Sequence, residues 1–220
     1  MKSKAITNRL AVVALLGLGV IPGATAADVT VRQELTPLTA PEQKAFLKAH
    51  NDARKVIGLD MLEWSDDLAK YAAQWLEARR DTIDEQVKEG KLPNPGHRPH
   101  EGEFQQQHGE NIAIWGGVPK STNKVPEQAV GFWLKEKAAF EKLNAMTPYI
   151  VGNEEGKEDD KGQPIVVNHY TQIVWKDTKK IGAARLIVDI LDAKKKLQSR
   201  FVVIVCNYDP PGNIEGKKPY

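Results

Sequence analysis

The chain has 220 residues, of which 41% are hydrophobic and 27% charged, and its formal net charge is +2 at pH 7. This length is typical of one domain, and the near-neutral charge argues against nonspecific nucleic-acid binding, which needs a basic surface. Cys206 is the only cysteine, so an intramolecular disulfide is excluded and the core must hold the fold by itself. Because Cys206 lies in an apolar run, we expect a buried small hydrophobic residue rather than a reactive thiol.

Residues 1–26 have the pattern of a secretory signal peptide. Lys2, Lys4 and Arg9 precede the uncharged run Leu10–Val20, and Ala24-Thr25-Ala26 is a small-x-small cleavage site. The apolar run is shorter than a typical membrane-spanning helix, and the cleavage site disfavours an uncleaved anchor. Cleavage removes three positive charges and no negative ones, which changes the formal net charge to −1. We therefore expect a secreted or periplasmic protein that is not an integral membrane protein after cleavage.

The next segments predict an arm and then two helices. Residues 27–40 mix Val, Thr and Pro without periodicity, which predicts an N-terminal arm before a single domain over residues 41–220. Pro41-Glu42 is typical of a first helical turn, and an apolar stripe follows it up to Gly58. Ser65 is a good N-cap for a second helix, whose polar continuation over Arg80–Glu89 is compatible with more helix. The two stripes are Phe46, His50, Ala53 and Ile57, and then Leu68, Ala72, Trp75 and Arg79.

The middle of the chain contains a polar loop and a third predicted helix. The loop over residues 97–108 carries His97, His100 and His108, and the pattern of Ile112–Trp115 does not decide between a strand and a turn of helix. Val125-Pro126-Glu127 opens the helix, whose apolar stripe is Val130, Trp133, Phe140 and Leu143. Glu136 projects from the same face, where a lone carboxylate needs a partner.

The last third predicts a short helix and a strand hairpin. Asn168 begins the helix, and His169 lies four residues before Ile173, so both share one face. Ile181–Leu191 and Phe201–Tyr208 are rich in β-branched residues and predict two antiparallel strands. Helices that precede strands in this way indicate an α+β domain with helices packed on a small sheet.

Four separated segments, in this order, match the motifs of one family. The matching segments are His50-Asn51-Asp52-Ala53-Arg54, Gly109-Glu110-Asn111-Ile112, His169-Tyr170-Thr171-Gln172-Ile173-Val174-Trp175, and Val205 through Asn213. With these segments the sequence resembles the CAP superfamily, which comprises cysteine-rich secretory proteins, antigen five and pathogenesis-related-one proteins. The resemblance implies a three-layer α-β-α sandwich and secretion.

The resemblance also implies a central cavity with two histidines and two acids. Carried over by motif, these are His97, Glu110, Glu136 and His169, with His100 as the alternative to His97. Two imidazoles and two carboxylates can bind a divalent cation, for which zinc is suited and magnesium is the harder-ligand alternative. The competing interpretation is a hydrogen-bonded network in which each glutamate orients a histidine and no metal is needed.

Four further motif residues are better explained by structural roles: His50, Asn51, Arg54 and Asn111. The helical spacing of His50 and Arg54 places them on neighbouring turns, where they can bind a loop or the C-terminal segment.

The function expected from this pattern is non-enzymatic. The resemblance implies a lipid, another small apolar ligand or a protein partner, bound in a cleft around His169. Sterol binding is not carried over, because the loop associated with it is often bracketed by cysteines and this chain has one cysteine. The alternatives are a metal-dependent hydrolase with Glu110 or Glu136 as the base, and a purely structural or envelope-interaction role.

Overall fold

The computed structural model describes residues 29–117, 126–152 and 154–220, so the predicted signal peptide lies outside the described residues. The helices are α1 (Ala40–Val56), α2 (Asp66–Ala78), α3 (Arg80–Lys88), α4 (Glu127–Leu134), α5 (Lys137–Met146) and α6 (Asn168–Ile173). The strands are β1 (Thr30–Pro37), β2 (Glu63–Trp64), β3 (Gly109–Gly117), β4 (Lys180–Leu191) and β5 (Leu197–Asp209). The predicted hairpin of β4 and β5 is present, and Ile112–Trp115 belongs to strand β3.

One sheet with the strand order β1-β4-β5-β3 organises the chain, and β2 pairs with β4 off this path. The β1–β4, β4–β5 and β3–β5 pairs are antiparallel, while β2 runs parallel to β4. Because β5 fills the other edge of β4, the strands β1 and β2 share one edge of β4 in succession. In the β3–β5 register, Glu110 lies opposite Asn207 and Asn111 lies opposite Cys206.

Two hydrophobic cores lie on opposite faces of this sheet. One contains Phe46 of α1, Trp133 of α4, Phe140 of α5 and Ile173 of α6, together with every second residue of β5 such as Ile204. The other is formed by α2 and α3 against the alternate β5 residues and the β3 residues that face them. Side-chain alternation along the strands feeds both cores. The result is the predicted α+β fold, a three-layer α-β-α sandwich.

The prediction of an irregular arm over residues 27–40 is wrong for Thr30–Pro37, which form the edge strand β1. Val31, Gln33 and Leu35 are half-buried, whereas Arg32 and Glu34 between them are exposed. The period of two is therefore present, but it is carried by a mixture of apolar and polar residues. The strand depends on β4, with which it pairs over its whole length.

The first predicted helix is the single helix α1, whereas the second and third are each interrupted once. The second helix continues through the polar segment as predicted, but α2 and α3 are separate helices that meet at Arg79. The third breaks between α4 and α5, and Glu136 occupies the junction. Val125, at the predicted start of the third helix, lies outside the described residues.

The burial of Cys206 confirms the expectation from sequence. Cys206 is fully buried in β5, and burial raises the pKa of its thiol, which makes it a poor nucleophile. Within the described ranges, none of the helices has the length and apolar character needed to cross a bilayer.

Candidate functional site

The first half of the site is a pair formed by His97 and Glu110. Glu110 is fully buried at the start of β3, and its Oε1 lies 2.7 Å from His97 Nδ1. The same oxygen accepts a hydrogen bond from the backbone N–H of Arg98 at 3.2 Å, and Asn207 Nδ2 lies 3.4 Å from Oε2. These donors replace the water that a buried carboxylate loses.

The second half is the pair formed by His169 and Glu136. Glu136 Oε1 lies 2.7 Å from His169 Nδ1. Its other oxygen accepts hydrogen bonds from the backbone N–H groups of His169 and Tyr170, at 2.9 and 3.1 Å. The break between α4 and α5 therefore places this carboxylate at the first turn of α6, where backbone N–H groups lack intrahelical partners. The sequence predicted that Glu136 would project from a buried face and need a partner, and His169 and Tyr170 supply these partners.

The two pairs present the same chemical group. In each histidine Nδ1 faces the carboxylate, and Nε2 is buried and has no protein hydrogen-bond partner among the described residues. When Nδ1 carries the proton in a neutral imidazole, Nε2 carries the lone pair that can accept a hydrogen bond or bind a metal. His97 and His169 thus each hold a buried nitrogen acceptor that a carboxylate orients.

The structure joins the four residues as two His–Glu pairs. Across the described part of the chain, no group of three or more His, Cys, Asp or Glu side chains is placed to hold a metal ion. Asn111, which follows Glu110, links the pairs because its Nδ2 donates to the carbonyl oxygen of His169 at 3.1 Å. Trp133 stacks parallel to the His169 ring, with centroids 6.2 Å apart and an interplanar angle of 2°.

The other two loop histidines lie elsewhere. His100, the alternative to His97, is exposed. His108 Nδ1 lies 3.1 Å from Asp209 Oδ1, at the end of β5. The histidine that contacts Glu110 is therefore His97 and not His100.

Sequence reasoning did not single out Gln172, which joins three of the four motifs. Its Oε1 accepts a hydrogen bond from the backbone N–H of Gly212 at 3.0 Å, and its Nε2 donates to Thr178 Oγ1 at 3.3 Å. A Cβ atom added to Gly109 or to Gly212 would lie within 3.0 Å of the Gln172 side chain. The two motif glycines are thus required by the packing of one buried glutamine, and their presence in separate motifs was the available signal.

With the site described, comparison with known proteins identifies the family. The family model CAP, described as the cysteine-rich secretory protein family, matches residues 47–208. The chain belongs to the CAP family. This match covers all four segments that carried the resemblance apart from the last residues, 209–213.

Individual CAP relatives match over most of their length. Pathogenesis-related protein 1C of Nicotiana tabacum is 29% identical over 178 residues, which cover 81% of this chain and 80% of that protein. Pathogenesis-related protein PR-1 of Medicago truncatula is 31% identical over 176 residues, which cover 80% and 77% of the two chains. The crystal structure of NaASP2 with Zn2+ aligns with a TM-score of 0.52 and 19% identity, over 84% of this chain and 87% of that one. That structural likeness shows the CAP fold alone.

The residues expected to be structural form hydrogen bonds with backbone groups of other segments, including the end of α6. Asn51 exchanges two hydrogen bonds with the backbone of Leu62, at 3.0 and 2.7 Å. The fully buried Arg54 donates to the carbonyl oxygens of Ile173 and Trp175, at 2.9 and 2.8 Å. These carbonyls lie at the C-terminal end of α6, where helices leave acceptors unsatisfied.

His50 connects α1 to the site through a buried chain of hydrogen bonds. His50 Nδ1 lies 2.9 Å from the carbonyl oxygen of Phe46, so it is the protonated nitrogen. His50 Nε2 accepts from the Tyr208 hydroxyl at 2.9 Å, and that oxygen accepts from Asn111 Nδ2 at 3.1 Å. Burial, together with the positive charge of Arg54, lowers the pKa of His50 from 6.5 to about 4.

This depressed pKa predicts a loss of stability in mild acid. The unfolded chain binds a proton at His50 below about pH 6.5, whereas the folded protein does so only near pH 4. The contribution of neutral His50 to the free energy of unfolding is therefore fully present above pH 6.5. It is lost as the pH drops toward 4, by about 3 kcal/mol in all. Urea unfolding should show about 2 kcal/mol of this loss between pH 7 and pH 5. A His50→Gln variant should be less stable at pH 7 and should show a much flatter pH dependence; an equally steep dependence would assign the effect to other groups.

Proposed function

We propose that this CAP protein is exported and that it binds a small apolar ligand or a protein partner around His97 and His169, without catalysing a reaction. The observation that carries the proposal is the pair of buried Nε2 atoms, each on an imidazole oriented by a carboxylate and each without a hydrogen-bond partner in the described part of the protein. Export is supported by the signal-peptide pattern of residues 1–26 and by membership of a family described as secretory.

A zinc ion fits the available donor atoms better than magnesium does. The two unpartnered atoms are imidazole nitrogens, which zinc accepts readily and magnesium does not. Both glutamates already bind histidine Nδ1 and backbone N–H groups, an arrangement that fixes the orientation of metal-binding histidines. We therefore propose His97 and His169 as the zinc ligands, with Glu110 and Glu136 as residues that orient them. The structurally similar NaASP2 was solved with Zn2+, which supports zinc as the ion to test.

The same hydrogen bonds disfavour the hydrolase alternative. A general base needs an oxygen that can reach a proton of water or substrate. Glu136 accepts three N–H groups of the protein, all from the first turn of α6. Glu110 is fully buried behind His97. Zinc, when bound, would supply an open coordination position for a ligand atom, while these residues hold and orient the two imidazoles.

The first experiment is a calorimetric titration of the metal-free mature protein with zinc. We expect one bound ion, with affinity reduced about tenfold or more in His97→Ala and in His169→Ala, and 10- to 100-fold, roughly, in Glu136→Gln. His100→Ala is the matched control and should bind like the wild type, because His100 is exposed. Unfolding midpoints of all variants should be measured alongside, since each pair also contributes to the fold. No heat of binding and no chelator-sensitive change in stability would remove zinc from the proposal.

The hydrolase alternative makes a different prediction. If it were correct, the zinc-loaded protein would hydrolyse ester or peptide substrates, and Glu110→Gln or Glu136→Gln would abolish that activity at saturating zinc. We expect no zinc-dependent hydrolysis above that of the His97→Ala, His169→Ala double variant.

A further inference from the structure

A surface pocket of about 430 Å³ lies between β1, α2 and the start of α1. Its apolar walls include Leu35 and Leu38 beside β1, Trp64 of β2, and Ala69 and Ala73 of α2. None of the four His and Glu residues of the proposed zinc site lines it. The pocket is thus a separate feature of the CAP domain.

The pocket exists because the edge of β4 is covered by two strands that do not meet. β1 pairs with β4 as far as Ala184, and β2 pairs with β4 at Ile181, which leaves the two β4 residues between them beside neither strand. One of these two is Gly182, against which the backbone of α2 is tightly packed. The α2 residues that line the pocket are Asp66, Ala69, Lys70 and Ala73, and the two alanines have only a methyl side chain. Small side chains at the gap between two strands leave the volume unfilled.

Four polar side chains also line the pocket, and each makes one contact within the protein; they are Thr36, Gln43, Asp66 and Lys70. Asp66 accepts from Trp64 Nε1 at 3.0 Å, and Gln43 Nε2 donates to the Leu38 carbonyl at 2.9 Å. Thr36 Oγ1 accepts from Arg185 at 3.0 Å, and Lys70 is paired with Asp67 at 3.4 Å. Asp66 and Lys70 are both exposed and carry opposite charges, so the pocket offers a charged ligand no net complementary charge to offset the hydration that it would lose. An uncharged apolar ligand would lose little hydration free energy, and its binding would bury apolar surface.

We propose that this pocket binds a compact, uncharged and mainly apolar molecule, recognised by shape and apolar contact. The volume lies within the range of about 300–1,000 Å³ found for small-molecule sites. It also exceeds the volume of about 150 Å³ of an engineered apolar cavity that binds benzene. The site needs no metal and shares no lining residue with the proposed zinc site, so each can fail without the other.

A matched pair of fluorescent probes tests the proposal on the whole mature protein. N-phenyl-1-naphthylamine is uncharged, and 1-anilinonaphthalene-8-sulfonate has the same rings with an added sulfonate. We expect the uncharged probe to bind with a rise in fluorescence. The affinity for the sulfonate should be lower by about tenfold or more. Because Trp64 lines the pocket, Trp64→Phe should also reduce energy transfer from tryptophan to the bound probe. Equal or tighter binding of the sulfonate would show an anion site and overturn the proposal.

Variants that fill the pocket locate the probe. Ala69→Leu and Ala73→Leu should each lower the affinity for the uncharged probe about tenfold, while Ala78→Leu, at an exposed position of the same helix, should not. Lys70→Gln should change the affinity less than about twofold, because the cation is not a ligand group. His169→Ala should leave probe binding intact, and Ala73→Leu should leave zinc binding intact. Near-UV circular dichroism verifies the folding of each variant. One folded variant of Ala69→Leu and Ala73→Leu is enough to test whether the probe binds in the pocket. If a folded Ala69→Leu or Ala73→Leu binds the probe like Ala78→Leu, the pocket is not the site.

Discussion

Replacing Arg54 by alanine is expected to destabilise the folded protein by about 4 kcal/mol. The buried guanidinium donates to carbonyl oxygens of Ile173 and Trp175 at one end and of Asp60 at the other, the last at 2.7 Å. A fourth carbonyl oxygen, that of Thr178 beyond α6, lies 3.3 Å from Arg54 Nη2. Removing one side chain therefore leaves several buried acceptors without a donor, and each such acceptor costs about 1–3 kcal/mol before water relieves it.

Urea unfolding of three variants measures this effect. Lys55→Ala is the matched control, since Lys55 is the exposed neighbour of Arg54 on α1 and should change stability by less than about 0.5 kcal/mol. Arg54→Lys keeps the charge but lacks the planar fork that reaches several carbonyls at once, so we expect an intermediate loss. If Arg54→Ala were as stable as Lys55→Ala, the carbonyls at the end of α6 would not depend on the guanidinium.

The same residue illustrates what the sequence could predict. Phe46, His50 and Ile57 gave the helix α1 and its buried face, because that pattern is set by residues close in sequence. Only the Asp60 carbonyl is close to Arg54 in sequence; the partners at and beyond the end of α6 lie more than 100 residues away. Spacing predicted that Arg54 would bind a loop or the C-terminal segment, but only the tertiary fold determines which carbonyls it reaches.

The two errors in the predicted fold have one physical cause. β1 has no continuous apolar run, and it is ordered by pairing with β4, which begins over 140 residues later. The break between α4 and α5 is likewise invisible in the apolar stripe from Val130 to Phe140, which continues across it. At the break, Glu136 contacts α6, and this contact lies outside any local window. Tertiary contacts overrode local pattern in both places.

The sequence named the four residues of the candidate site, and one of its two interpretations had each glutamate orient a histidine. The motifs identified Glu110, Glu136 and His169, and the loop sequence put His97 ahead of His100. They could not show that each carboxylate faces Nδ1, because that depends on how the α4–α5 junction and the 97–108 loop pack against the sheet. In the structure, Nε2 of His97 and of His169 has no hydrogen-bond partner among the residues described, whereas both carboxylates already have partners. This difference is the reason for proposing two histidine ligands rather than two histidines and two glutamates.

Gly182→Ala is expected to destabilise the protein strongly, although it adds only one methyl group to the sheet. A Cβ at this position of β4 would lie closer than 3.0 Å to backbone atoms of Ser65, Leu68 and Ala69 at the start of α2. Backbone atoms cannot rotate away as a side chain can, so α2 must move off the sheet and lose part of the core that it forms with β4 and β5. We expect a loss of about 3 kcal/mol or more in urea unfolding.

Gly131→Ala provides the opposite case in the same protein. Gly131 is exposed in α4, and an added Cβ would meet nothing within 4 Å. Alanine should stabilise the protein by about 0.5–1 kcal/mol, because it loses less backbone entropy than glycine when a helix forms. The two variants add the same methyl group, so opposite signs of the change in stability would show that the close approach of α2 to β4 determines the outcome. A Gly182→Ala protein as stable as the wild type would mean that α2 can slide along the sheet at little cost. In that case the dimensions of the neighbouring pocket at Ala69 and Ala73 would not be fixed by this contact.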